Sequence, residues 1–120
     1  AEDEPAIRRL AVRILERAGY RVLEASNGEE ALQVSLAHRA PIDLLVTDLV
    51  MPKLDGRHLI GEVRRMRPDV GVVLLSGYTD ATVGASDSFM RDVHFLQKPF
   101  AGDTLARKVR EALDTRARRS

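Results

Sequence analysis

Five side chains that handle charged oxygen stand at the borders of apolar or amphipathic segments. Asp48 closes Leu44-Leu45-Val46-Thr47, Ser76 closes Val72-Val73-Leu74-Leu75, and Lys98 follows Val93-His94-Phe95-Leu96-Gln97. Glu2 and Asp3 stand just ahead of an amphipathic segment. Carboxylates gathered within about 4–6 Å repel and raise one another's pKa, so three together call for a cation. Mg2+ suits such a site, because it keeps several waters and takes one or two carboxylates plus a phosphate. A carboxylate nucleophile, a metal, an ammonium and a hydroxyl together suit phosphoryl transfer onto aspartate. Taken singly, each residue has an ordinary use. Asp48 could be a turn or cap residue, Ser76 a loop serine, Lys98-Pro99 a surface turn, and Glu2, Asp3 and Glu4 complements to a helix dipole. Their recurrence at successive strand ends favours the joint reading.

The elements that must position them alternate in type. Ile7, Leu10, Ala11, Ile14, Leu15 and Ala18 give helical spacing over residues 6–18, with Pro5 in the first turn and Gly19 as the stop. Residues 21–25 read as a short strand. Asn27 and Glu30 form a capping box that opens a helix to about His38. Residues 42–47 are apolar except for Asp43, as in a strand covered on both faces. A helix over 56–66 turns Leu59, Ile60, Val63 and Met66 inward, and a buried strand covers 70–75. Residues 80–91 predict a short helix rich in poor helix formers, 93–97 a strand, and 102 to about 116 a helix with Leu105, Val109, Ala112 and Leu113 inward.

Strands and helices joined by short loops imply right-handed βαβ units and an α/β, doubly wound parallel sheet. Ligands of such sheets bind outside the carboxyl ends of the strands, where Asp48, Ser76 and Lys98 fall and where Glu2 and Asp3 would fall if a strand preceded them. The pattern opens on a helix, whereas a sheet of this kind normally opens on a strand. Ala1-Glu2-Asp3-Glu4 is too short and too acidic to be one.

The 120 residues fit one domain over 1–115 with a basic tail at 116–120. Aromatics make up 4% and Trp is absent, so the core must be aliphatic. The lack of cysteine removes disulfides, thiolate chemistry and Cys-based zinc sites, and fits a cytoplasmic setting. No apolar run approaches the roughly 20 residues of a membrane span, and the acidic start has the wrong charge for a signal peptide. No membrane contact is expected. The tail arginines lack the aromatic or Gly-rich interleaving of a nucleic-acid binder, and no nucleic-acid partner is expected. His38, His58 and His94 show no ligand spacing.

With these motifs in view, the chain resembles the receiver domain of two-component response regulators. The resemblance rests on Glu2-Asp3-Glu4-Pro5, Asp48 with Met51-Pro52 and Asp55-Gly56, Leu74-Leu75-Ser76-Gly77, and Lys98-Pro99-Phe100, over residues 2 to about 114. It implies a flavodoxin-like fold with five parallel strands in the order 2-1-3-4-5. It implies that Asp48 takes a phosphoryl group from the phosphohistidine of a histidine kinase or phosphotransfer domain. Asp3, Asp48, Glu2 (partly through water) and the Val50 backbone carbonyl would hold Mg2+. Lys98 would pair with the phosphoryl oxygens, and Ser76 and Phe95 would form the switch. A cis Lys98-Pro99 bond, a homodimer and a setting in a bacterial hybrid histidine kinase also belong to what the resemblance implies.

Three departures stand out. Glu2 replaces the Asp of many members. Val50 is apolar where several members are polar, which predicts a long-lived phosphoaspartate. The first strand is absent, so either residues preceding Ala1 or another molecule must supply it, and the former is expected. The competing functions are an aspartate-nucleophile phosphatase and a non-phosphorylated interaction module. The first lacks its general acid, since Val50 stands two residues after Asp48; the second leaves the full set of site residues without a use. The receiver reading expects no turnover enzyme.

Overall fold

Three of the apolar runs become strands of one parallel sheet in this computed structural model, which describes residues 1–49, 54–76, 93–98 and 100–119. For Ser76 and residues 116–119 the backbone alone is described. The strands are β1 (Leu44–Asp48), β2 (Gly71–Ser76) and β3 (Val93–Gln97), in the order β1-β2-β3. Their register sets Asp48 beside Leu75 and Ser76 beside Gln97, so the carboxyl ends of all three strands reach one rim. Lys98 follows directly.

Four helices cover the sheet among the described residues: α1 (Pro5–Arg17), α2 (Gly28–Ala37), α3 (Gly56–Met66) and α4 (Gly102–Arg119). Side chains of β2 alternate between two cores, as strand geometry requires. Val72 and Leu74 pack with Leu49, Leu59, Ile60, Val63 and Val70. Val73 and Leu75 pack with Leu15, Leu96, Leu105, Val109 and Ala112. Each such aliphatic side chain, fully buried, stabilises the fold by about 1.5–3 kcal/mol. This is why β2 tolerates no polar residue before its rim.

Local chemistry sets the helix ends. Gly19 adopts φ 96°, a left-handed conformation that costs glycine little, and its N–H donates to the Glu16 carbonyl to close α1. Asn27 Oδ1 accepts from the Glu30 N–H, while the Glu30 carboxylate accepts from the N–H and hydroxyl of Ser26. The box therefore closes one residue earlier than the Asn27 pattern implies. Asp55 Oδ1 caps α3 by accepting from the His58 N–H. Arg67, just past α3, donates to the carbonyls of Ser35, His38 and Ala40 and to Ser35 Oγ, clamping the end of α2.

Several expectations need correction. Residues 21–25 are described without strand pairing, contrary to the expectation of a short strand there. The Ala25 carbonyl accepts from the Glu2 N–H. Between this segment and β1 lies an apolar cavity of about 930 Å3. Residues Leu44–Val46 are consequently half-buried, short of the two-sided burial their sequence suggests. Met66, the last residue of α3, is 39% exposed rather than turned inward. α4 continues past Arg116 to Arg119. The helix expected over 80–91 and the Lys98-Pro99 bond fall outside the described residues.

Candidate functional site

Asp48 is held at the rim through its backbone. Its N–H donates to the Ala1 carbonyl, and its carbonyl accepts from the buried Thr47 hydroxyl. The next residue, Leu49, donates to the Leu75 carbonyl and accepts from the Gly56 N–H at the start of α3. A Cβ on Gly56 would lie 2.3 Å from the Asp48 carbonyl oxygen, so only glycine allows α3 to begin this close to the strand end. The carboxylate is thereby aimed by a strand on one side and a helix on the other.

Lys98 reaches back from the end of β3. Its Nζ donates to Asp48 Oδ2 at 2.7 Å and lies 2.7 Å from Glu2 Oε1. Burial alone would lower the Lys98 ammonium, but its bonds to Asp48 and Glu2, with their negative charge, outweigh this and hold it above its ordinary value. Burial pushes the Glu2 carboxyl up, and Lys98 and the Glu4 amide only partly offset this. Glu2 is tied at every other point. Its N–H donates to Ala25, its carbonyl accepts from Arg8 Nη1, and its Oε2 accepts from the Glu4 N–H. Arg8 also lies 3.5 Å from Glu24. Its role here was hidden in sequence, where it reads as one more charge on the outer face of a helix.

Carboxylate oxygens of Glu2, Asp3 and Asp48 lie within 4.8 Å of one another, with Glu2 and Asp48 buried and Asp3 exposed. Three carboxylates face one ammonium. Glu2 Oε1 is moreover buried without a directed hydrogen bond, the only such side-chain atom among the described residues. Lys98 Nζ lies 2.7 Å from it as an ion pair, and the atom can face a further positive group. An all-oxygen donor set with surplus negative charge and one exposed member fits a hard divalent cation with open water positions.

The sequence-predicted residues fall out as follows. Glu2, Asp3, Asp48 and Lys98 meet. Ser76 is placed at the carboxyl end of β2 by its backbone. Phe95 lies in β3 beside Leu74 and is 40% exposed, outside the carboxylate cluster. Val50 lies outside the described residues. The sequence reading missed the contact between Lys98 and Glu2, which no local pattern reports.

The family described as "Response regulator receiver domain" matches residues 1–110, and the chain belongs to it. It is a receiver domain of two-component systems, with the α/β, flavodoxin-like architecture of that family. The sensor kinase CckA of Brucella abortus is 40% identical over 94% of this chain, which spans only 12% of that kinase. The response regulator receiver protein CpdR of the same organism is 33% identical, with 94% of this chain and 92% of CpdR covered. Among solved structures, a receiver domain from Clostridium thermocellum superposes with a TM-score of 0.86 at 27% identity, covering 99% of this chain and 94% of its own. The receiver domain of the hybrid histidine kinase CckA gives 0.76 at 38% identity, covering 93% and 94%. No helix among the described residues is long and apolar enough to cross a membrane.

Proposed function

We propose that this receiver accepts a phosphoryl group on Asp48 from the phosphohistidine of a histidine kinase or phosphotransfer domain, and that Mg2+ is held by Asp3, Asp48 and Glu2, with the Val50 carbonyl as a further ligand. The observation that carries the reading is the meeting of Asp48 with Lys98 at 2.7 Å inside a cluster of three carboxylates. Oδ of Asp48 forms the new O–P bond as the N–P bond of phosphohistidine breaks, and the imidazole leaves with the electron pair and takes up a proton. Mg2+, when bound, supplies charge neutralisation that lets an anionic nucleophile approach an anionic phosphoryl group. Lys98 offers its ammonium to the phosphoryl oxygens, and the backbone bonds around Asp48 keep the carboxylate from turning away. Ser76 closes onto the phosphoryl group from the neighbouring strand end, and Phe95 transmits the change to the surface, a population shift driven by new local charge.

The domain is a signalling acceptor that works in the cytoplasm without turning over a substrate. Likeness to a segment of a sensor kinase supports a place in a hybrid kinase, with a phosphotransfer domain or a separate protein downstream. The test is incubation with acetyl phosphate and Mg2+. One phosphoryl group should be gained by mass and none in Asp48→Asn. With apolar Val50 two residues on, hydrolytic water is poorly oriented, and the phosphoaspartate should outlast minutes. Phosphorylation of the Asp48→Asn chain to the same extent would sink the assignment, and release within seconds would sink the claim of long life.

A further inference from the structure

Gly28 and Gly56 are the first residues of α2 and α3, and both are buried. Gly28 follows directly on the cap, Asn27. Its backbone lies outside the left-handed region that Gly19 occupies, so torsional freedom is not what position 28 requires. Space is the requirement. A Cβ there would fall 2.7 Å from the carbonyl carbon of Leu54 and 2.8 Å from its Cβ, and closer still to its carbonyl oxygen. Real Cβ atoms do not come so near, and the obstacle is mostly backbone, which has no rotamer with which to give way.

Leu54 has little freedom of its own. Residues 49–55 join β1 to α3, and the Gly56 N–H donates to the Leu49 carbonyl at 2.8 Å, closing the base of the connection. Leu49 is bonded in turn to the Leu75 carbonyl of β2. The Leu54 side chain packs against the cluster of Leu49, Leu59 and Ile60, which Ala31 and Leu32 of α2 also meet. The core therefore holds the side chain of Leu54, and the first turn of α2 stands against its carbonyl. The same connection carries Val50, whose carbonyl the proposed function assigns to Mg2+.

We propose that Gly28 is a positioning residue for the metal site: through Leu54, the first turn of α2 backs the connection that carries Val50 and so sets a preference for Mg2+ over larger divalent ions. This rests on the metal site of the proposed function. Mg2+ demands near-ideal octahedral geometry at about 2.0–2.1 Å, whereas Ca2+ accepts flexible surroundings at about 2.3–2.6 Å. A backed connection suits the stricter ion. A methyl group at position 28 would push Leu54 away from α2. Close-packed interiors pass such a shift on, back along the chain to Val50 and forward to Gly56, which sits against the Asp48 carbonyl. The ion that depends most on geometry then loses most. The charges of Glu2, Asp3 and Asp48 are untouched by the change, so attraction for a divalent ion in general remains.

The test is amide chemical-shift titration of the full chain with Mg2+ and, separately, with Ca2+. Gly28→Ala should weaken Mg2+ binding by on the order of tenfold and Ca2+ binding by no more than about twofold. Before any metal is added, it should already move the amide signals of Leu49, Leu54, Asp55 and Gly56. Two controls should leave both affinities unchanged: Arg67→Ala, which loosens the other end of α2, and Gly61→Ala, where a Cβ meets nothing within 4 Å. If Gly28→Ala does not fold, Leu54→Ala decides, since it frees the connection from the core and should show the same selective loss of Mg2+. Equal losses for the two ions, or a loss of Mg2+ as large in Arg67→Ala, would make Gly28 a packing residue only and overturn the proposal. Unchanged affinities overturn it too. If the unaltered chain binds neither ion, the metal site itself is refuted, and the proposal falls with it.

Discussion

β2 and the segment 21–25 are both extended stretches beside the same sheet, yet they end in opposite conditions. β2 has a bonded neighbour on each edge and helices on each face, and Val72–Leu75 are at most 1% exposed. Residues 21–25 pair with no strand among the described residues, and Leu23 is 51% exposed. The contrast shows that apolar composition proposes burial and backbone pairing completes it. The candidate site straddles the divide. Asp48 and Lys98 come from the closed half, Glu2 and Asp3 from the open one, and the rim bonds of Ala1 and Glu2 join the two.

The difference can be broken or sharpened by substitution. Leu74→Ala removes a fully buried side chain from the closed half and should cost about 2–5 kcal/mol in denaturant unfolding. A loss under about 1 kcal/mol would mean that β2 is not the packed centre. Arg67→Ala removes the clamp on α2, an element of the open half, and should cost about 2 kcal/mol by the same measurement. Asp55→Ala deletes the cap of α3 at the closed edge, worth about 1 kcal/mol. Burial would raise the Asp55 carboxyl, but the backbone and ring of His58 outweigh this and hold it below its ordinary 3.8. Its contribution is therefore present above pH 3.8 and lost as the pH falls through the folded value, so wild type and Asp55→Ala should converge in acid. Leu23→Ala should change stability by less than about 0.5 kcal/mol. A cost approaching that of Leu74→Ala would erase the distinction between the halves.

Much of the site was legible because sheet topology converts a one-dimensional pattern into a place. Asp48, Ser76 and Lys98 each end or follow an apolar run, and parallel strands carry such ends to one rim. The acidic pair was legible by its place before Pro5. What escaped depends on contacts between distant segments. The Arg67 clamp joins residues 32 apart, and an arginine just past a helix looks like any other surface charge. Met66 satisfied the spacing of an inward position, yet as the last residue of α3 it is 39% exposed. Residues 21–25 had strand composition, but pairing is a property of the neighbour as much as of the segment.

Gly56 sets a tolerance for the whole rim. Where α3 starts, the space between helix and strand admits a hydrogen and refuses a methyl. Any larger residue must push the Asp48 peptide sideways, and with it the carboxylate that the proposed chemistry uses. The carboxylate proposed to accept the phosphoryl group is thus gauged by an atom that belongs to a different element and carries no charge, so a change that looks chemically silent at position 56 would mistune the candidate site.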